Sequence, residues 1–267
     1  MTTTQLGKAP TGQFVTTENI RNLRDFGGYS LAGNGTIVSG RLFRSGDTAD
    51  ASEADLVMLQ QMAPRVLADL RGTSERDKAP CRWPKGLDAR LVEPHGESAR
   101  MAFHEEAAAE VTDAATMREQ FARRYEDLPF RPHLQQVYGD YLDALAQSSG
   151  ASLVFCTAGK DRTGFIVAVL QTLLGAHHDD VMDEYLLTNS APDRDAQVER
   201  LRHQIEHRFG KGLPEDAIQV VTRVDPIFLS RALGAVCKRH GSVEAYAADV
   251  LRCPPAKVEA LRRNFVK

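Results

Sequence analysis

Apolar positions along this chain come first in short runs and later at helical spacings. Arg65-Val66-Leu67-Ala68-Asp69-Leu70-Arg71 is an apolar run ending in charged residues, and Ala151-Ser152-Leu153-Val154-Phe155 is another. Both have the length and composition of buried strands. Residues 20–45 break into short segments, with Gly33-Asn34-Gly35 between apolar pieces predicting a hairpin turn. Ser52, followed by Glu53 and Asp55 and then Leu56, Leu59 and Met62, predicts a short capped helix. Residues 72–100 read as loop. Ala, Glu and Arg dominate from Met101 to Leu128 and favour helix by propensity. Val137, Tyr138, Tyr141, Leu142 and Leu145 recur at three and four, predicting a helix from Leu134 to Gln147 that Ser148-Ser149-Gly150 ends. Thr163 to Leu174 reads as an apolar helix stopped by Gly175, with further helices over 179–188, 193–208, 225–239, 242–251 and 255–265. Early alternation of strand and helix followed by helices predicts an α/β fold: a central sheet flanked by helices, with a helical C-terminal part.

Composition narrows the function only by exclusion. The 267 residues are 42% hydrophobic and 26% charged with a net charge of -3, so nothing global points to nucleic acid or a membrane surface. No run approaches the ~18 apolar residues of a membrane span. MTTTQLGKAPTGQF lacks the basic start and apolar core of a signal peptide, which predicts a cytoplasmic protein and leaves export by another route open. The polar start suggests a flexible segment at 1–18 and one domain over 19–267; nothing in the pattern fixes an oligomeric state. Four cysteines, Cys81, Cys156, Cys237 and Cys253, lie far apart with no CxxC pair. A disulfide framework or a zinc site is therefore not expected. Met58, Met62 and Trp83 read as packing residues.

One loop carries chemistry. In Phe155-Cys156-Thr157-Ala158-Gly159-Lys160-Asp161-Arg162-Thr163-Gly164 an apolar strand runs into a small-residue loop that opens directly into an apolar helix. Such a loop turns backbone amides, with the positive end of a helix, toward one point where a phosphate-sized anion binds. Thr157, Ala158, Gly159, Lys160, Asp161 and Arg162 would form this cradle, and Cys156 would face the same point as nucleophile. A helix N-terminus with cationic neighbours lowers a thiol pKa from about 8.5 to roughly 3.5–7.5, so one field would both bind the substrate and activate the sulfur. Arg162 would return as the loop curls and hold two phosphate oxygens in its planar fork, a geometry lysine lacks. Thr163 would donate its hydroxyl to the Cys156 sulfur. Asp161 would protonate the leaving oxygen and then deprotonate water. Covalent catalysis would thus divide one difficult displacement into two easier ones.

At Cys156-Thr157-Ala158-Gly159-Lys160-Asp161-Arg162-Thr163-Gly164 the chain resembles the bacterial tyrosine and lipid phosphatases related to the mycobacterial tyrosine phosphatase B. Asn22-Leu23-Arg24-Asp25 with Gly27-Gly28-Tyr29, Arg41 to Arg44-Ser45, and Asp69-Leu70-Arg71 with Glu75-Arg76 are similar to further motifs of that family. So are Tyr185-Leu186-Leu187-Thr188-Asn189 and Gly241-Ser242-Val243-Glu244-Ala245-Tyr246. The resemblance implies a cysteine-dependent tyrosine-phosphatase fold without metal or other cofactor. It also implies activity on phosphotyrosine, and in some members on phosphoserine, phosphothreonine or phosphoinositides, in a phosphorylated protein or lipid partner. It assigns substrate binding to Lys160 and acid/base work to Asp161. Ordinary tyrosine phosphatases take their acid from a separate loop, which makes Asp69 a second candidate for that role, or else an ion-pair partner of Arg71 or Arg44. It further implies a lid over the site in the helical stretch 101–128. An added cation at Lys160 would suit substrates with more than one phosphate. The chain departs from the family at Phe155, where the family has a histidine that organises the loop; its loss predicts a less efficient enzyme.

Two other classes use similar loops. A non-catalytic phosphate-binding relic is suggested only by Phe155, while Cys156, Asp161, Arg162 and Thr163 speak against it. A thiol redox or sulfur-transfer enzyme would need a resolving cysteine nearby or a different loop pattern, and Cys237 is far away in sequence.

Overall fold

A computed structural model describes residues 14–95, 113–192, 198–200, 202–203 and 214–267. Its strands are β1 (Arg24–Asp25), β2 (Leu42–Ser45), β3 (Val66–Asp69), β4 (Arg90–Val92) and β5 (Ser152–Phe155). They form one sheet in the order β1-β2-β5-β3-β4. β1 runs antiparallel to β2, and the remaining neighbours are parallel. β5 is central, and every one of its residues is buried, as its Leu-Val-Phe run requires. The parallel register places Ser45, Phe155 and Asp69 at one level, so the three segments that follow these strands emerge side by side.

Alternation along β5 divides the interior. Leu153 and Phe155 face a smaller core with Ile20, Leu23, Phe43, Leu59 and Leu67, which α1 (Glu53–Met62) covers. Met58, Met62 and Trp83 pack against it, in keeping with the sequence. Val154 and Cys156 face the larger, helical core. Burying each such large side chain is worth roughly 1.5–3 kcal/mol, so the alternation fixes which way the residue after β5 points.

The helices follow their sequence signals. Ser52 caps α1 by accepting from the Asp55 amide, and the Asp55 carboxylate accepts from the Ser52 amide in return. After α2 (Thr73–Lys78) come α3 (Ala114–Asp127) and α4 (Pro132–Ala146). The helix after the loop, α5 (Asp161–Leu174), is apolar around its circumference and almost wholly buried; it ends at Gly175, whose φ of 101° lies in the left-handed region. Beyond it lie α6 (His178–Leu186), α7 (Glu215–Thr222), α8 (Pro226–His240), α9 (Val243–Asp249) and α10 (Pro255–Phe265). No helix among the described residues is long and apolar enough to cross a membrane.

Several expectations change. Of the N-terminal stretch 1–18, residues 14–18 are described: Phe14 bridges Arg24, and the Val15 amide donates to Leu23 O. Within the stretch read as loop, α2 and β4 form. The predicted helix 193–208 falls largely outside the described residues, and α7 was not anticipated. Of the stretch expected to be a lid, 101–112 lies outside the described residues. The rest, α3, buries Met117, Phe121, Ala122 and Tyr125 and packs along α8.

Candidate active site

Cys156 is 3% exposed at the end of β5, and α5 begins at Asp161. The first intrahelical bond runs from the Gly164 amide to Lys160 O at 2.8 Å, so the amides just before it have no acceptor within the helix. Gly159 makes the turn possible. Its φ is +64°, and a Cβ there would stand 2.2 Å from the Ser45 carbonyl oxygen, so the loop lies directly on the end of β2.

Arg44, on β2, holds the loop from beneath. It is fully buried and donates from Nη2 to Gly159 O at 2.7 Å and to Lys160 O at 3.3 Å; Asn22 Nδ2 also donates to Gly159 O at 2.9 Å. In a trans peptide the carbonyl and the next amide point in opposite directions. Fixing those two carbonyls therefore turns the amides of Lys160 and Asp161 away from Arg44. Glu184 of α6 bridges Arg44 Nη1 at 2.6 Å and Arg24 Nε at 2.8 Å, all three side chains being 0% exposed. Burial alone would raise the Glu184 pKa, but the two guanidinium groups outweigh it and hold the carboxylate ionised.

Arg162 is oriented from the other side by Glu75 of α2. Nη1 donates to Oε2 at 2.7 Å and Nη2 to Oε1 at 2.8 Å, a bidentate pair. Nη1 also donates to Leu70 O and Nη2 to Thr157 Oγ1, each at 3.3 Å, and Thr157 Oγ1 donates to Glu75 Oε1 at 2.5 Å. The Gly72 amide holds Oε2 at 2.9 Å. Burial pushes the Glu75 carboxyl up, but Arg162, Thr157 and the Gly72 amide bring it down to about 2. Burial also opposes the Arg162 charge, and Glu75, with a contribution from the Cys156 sulfur, more than restores it. Cys156 and the Arg162 guanidinium are thus close enough to interact electrostatically.

The remaining candidates divide. Asp161 Oδ1 accepts from Tyr125 Oη at 2.5 Å and lies 3.6 Å from Lys160 Nζ. Asp69 pairs with Arg71, Oδ1 accepting from Nε at 2.9 Å and Oδ2 from Nη2 at 2.8 Å, as the ion-pair reading expected. Lys160 makes contacts the sequence did not indicate. Its ammonium is 7% exposed, donates to Val221 O at 2.5 Å and Arg223 O at 3.3 Å at the C-terminal end of α7, and lies over the Phe121 ring. A cation suits the negative end of a helix, and there it ties α7 to the loop. Thr163 Oγ1 is buried with no hydrogen-bond partner, so the expected bond to the Cys156 sulfur is not formed. Phe155 packs on Trp83 at 5.7 Å with the Arg71 guanidinium over its ring, on the opposite side of the sheet from Cys156.

Sequence reasoning named Glu75 only as part of a motif, and it gave Tyr125 and Glu184 no role. Spacing gives no sign of any of them, because Glu75 and Arg162 are 87 positions apart and Glu184 and Arg24 are 160 apart.

The chain is 30% identical over 253 residues, 90% of its length and 85% of the relative's, to a Cupriavidus necator protein named "Putative tyrosine-protein phosphatase". It is 27% identical to the triple specificity protein phosphatase PtpB of Mycobacterium tuberculosis, covering 85% of this chain and 90% of that one. A model of the tyrosine phosphatase family matches residues 15–267, and the chain belongs to that family.

Proposed function

We propose that this enzyme hydrolyses phosphate monoesters through a phosphocysteine at Cys156, with phosphotyrosine as the principal substrate. The observation that carries the reading is the bidentate Glu75–Arg162 pair, which aims a guanidinium at the loop that Cys156 begins. Glu75 takes the Nη1/Nη2 edge of Arg162, and the edge formed by Nε and Nη2 serves two phosphate oxygens. One of them displaces the long Nη2 contact to Thr157. The Cys156 sulfur attacks phosphorus, the phosphorus–oxygen ester bond breaks, and Asp161 transfers its proton to the departing oxygen. Water then attacks the phosphocysteine and gives a proton to Asp161, and the phosphorus–sulfur bond breaks to release inorganic phosphate and the sulfur. The amides of Lys160 and Asp161 stabilise the charge that gathers on the transferring group.

The relic reading loses its one motive, since Phe155 lies in the core on the far side of the sheet. Activity on phosphoserine, phosphothreonine or phosphoinositides rests on the likeness to the triple specificity relative; with the Lys160 ammonium occupied by α7, a second phosphate draws no help from it.

The test is a panel of p-nitrophenyl phosphate, phosphotyrosine and phosphoserine peptides and a phosphoinositide, with and without chelator and vanadate. Wild type is expected to turn over the phosphotyrosine peptide fastest, unaffected by chelator and inhibited by vanadate. Cys156→Ser is expected to lose at least about 10³-fold in kcat. Turnover that survives Cys156→Ser, or stops with chelator, overturns the proposal.

A further inference from the structure

We propose that Tyr125 is the positioning residue of the general acid: its hydroxyl pins one oxygen of Asp161 so that the other presents the proton. The inference rests on the reading of Asp161 as acid and base.

Asp161 is the first residue of α5, so its backbone is fixed and only its own side-chain torsions set where the carboxyl points. An acid carried on a flexible loop finds its substrate by closure; one built into a helix terminus has to be aimed by a neighbour. Tyr125 is that neighbour. Its hydroxyl is 2.5 Å from Oδ1, and burial first, then the Asp161 charge, hold its pKa well above the usual tyrosine range, so it stays a donor. A hydroxyl has one proton to give, and Tyr125 gives it to Asp161. The Tyr185 hydroxyl, 2.8 Å behind, is therefore the donor to Tyr125, making a directed chain from Tyr185 through Tyr125 to Oδ1. Lys160 Nζ also lies on the Oδ1 side. Among the described residues Oδ2 carries no hydrogen bond, and it is the atom left to exchange a proton with substrate and water.

The aim is rigid. The Tyr125 ring is fully buried and stacks on Phe228 at 5.3 Å, Phe121 one turn away stacks on the same ring at 5.8 Å, and α3 packs along α8. Tyr185 is fixed from its other side by Gly164, where a Cβ would stand 2.8 Å from the ring. The helix expected to be a lid thus supplies the group that orients the acid.

A leaving-group series separates positioning from general damage, because an acid matters most where the departing oxygen is most basic. Wild type, Asp161→Asn, Tyr125→Phe and Tyr185→Phe are compared by kcat/KM on p-nitrophenyl phosphate, a good leaving group, and phenyl phosphate, a poor one. Asp161→Asn is expected to lose about a hundredfold on phenyl phosphate and far less on p-nitrophenyl phosphate. Tyr125→Phe is expected to follow the same pattern at about tenfold, the value of one hydrogen bond to a charged group. Should Tyr125→Phe not fold, Tyr185→Phe carries the test at about threefold, since it removes only the donor behind Tyr125. Equal losses on both esters in whichever of these tyrosine variants folds overturn the positioning role while leaving Asp161 as the acid. Equal losses in Asp161→Asn overturn the acid itself, and the inference with it.

Discussion

The two flanks of the 156–162 loop are each held by a carboxylate on arginine, yet they do opposite work. Beneath the loop, Glu184 joins Arg24 and Arg44 with no solvent contact, and beyond Glu184 Arg44 donates to backbone carbonyls of the loop. At the mouth, Glu75 joins Arg162 with side chains 14% and 12% exposed, on the guanidinium proposed to hold substrate. The sealed pair shapes the peptide planes and never meets the reaction. The accessible pair aims a side chain and, in the proposed mechanism, takes part in every cycle. The same ionic chemistry therefore serves as framework where water is shut out and as machinery where it is admitted.

Neutralising each carboxylate sharpens that contrast. Glu184→Gln leaves two buried guanidinium groups without a counter-charge and is expected to cost about 3–5 kcal/mol in urea unfolding. A cost under about 1 kcal/mol would break the distinction. Glu75→Gln is expected to cost less, about 2 kcal/mol at neutral pH, while kcat/KM falls by about tenfold or more as Arg162 loses its aim. Its stability also acquires a different acid response. In wild type the Glu75 carboxyl is depressed from 4.5 to about 2, so its stabilisation is complete above pH 4.5 and is lost as the pH falls toward 2. That loss should be absent in Glu75→Gln, and an acid slope identical to wild type would remove the claim. The smallest effect belongs to Thr163, which lies in neither pair. Because its hydroxyl is buried without a partner, Thr163→Val is expected to change stability by less than about 1 kcal/mol. If the hydroxyl serves the departing sulfur, kcat falls severalfold while kcat/KM holds; a large loss of stability instead would place Thr163 in the framework.

The sequence made the reacting loop legible because the chemistry is contiguous there. Cys156 and Arg162 have to share one turn between a strand and a helix, and β5 and α5 fall where the apolar runs placed them. It hid what orients those groups. α2 is the six polar residues Thr-Ser-Glu-Arg-Asp-Lys, with no apolar period to reveal a helix, so Glu75 sat in apparent loop. Tyr125 and Phe121 read as ordinary helix residues because their partners on α5 and α8 are distant in sequence. The contact of Lys160 with the end of α7 was hidden for the same reason, since α7 itself was not legible in the sequence. The substitution at Phe155 looked like a catalytic defect, whereas alternation along β5 sends that side chain to the smaller core.

The common level of Ser45, Phe155 and Asp69 at the ends of three adjacent parallel strands has an evolutionary consequence. Adding or deleting one residue within β5 would exchange the two cores' side chains and carry the sulfur to the wrong side of the molecule. Length changes are thus barred from the middle of this sheet while side-chain changes such as Phe155 are admitted. Descendants of this enzyme can drift in composition there, but not in count.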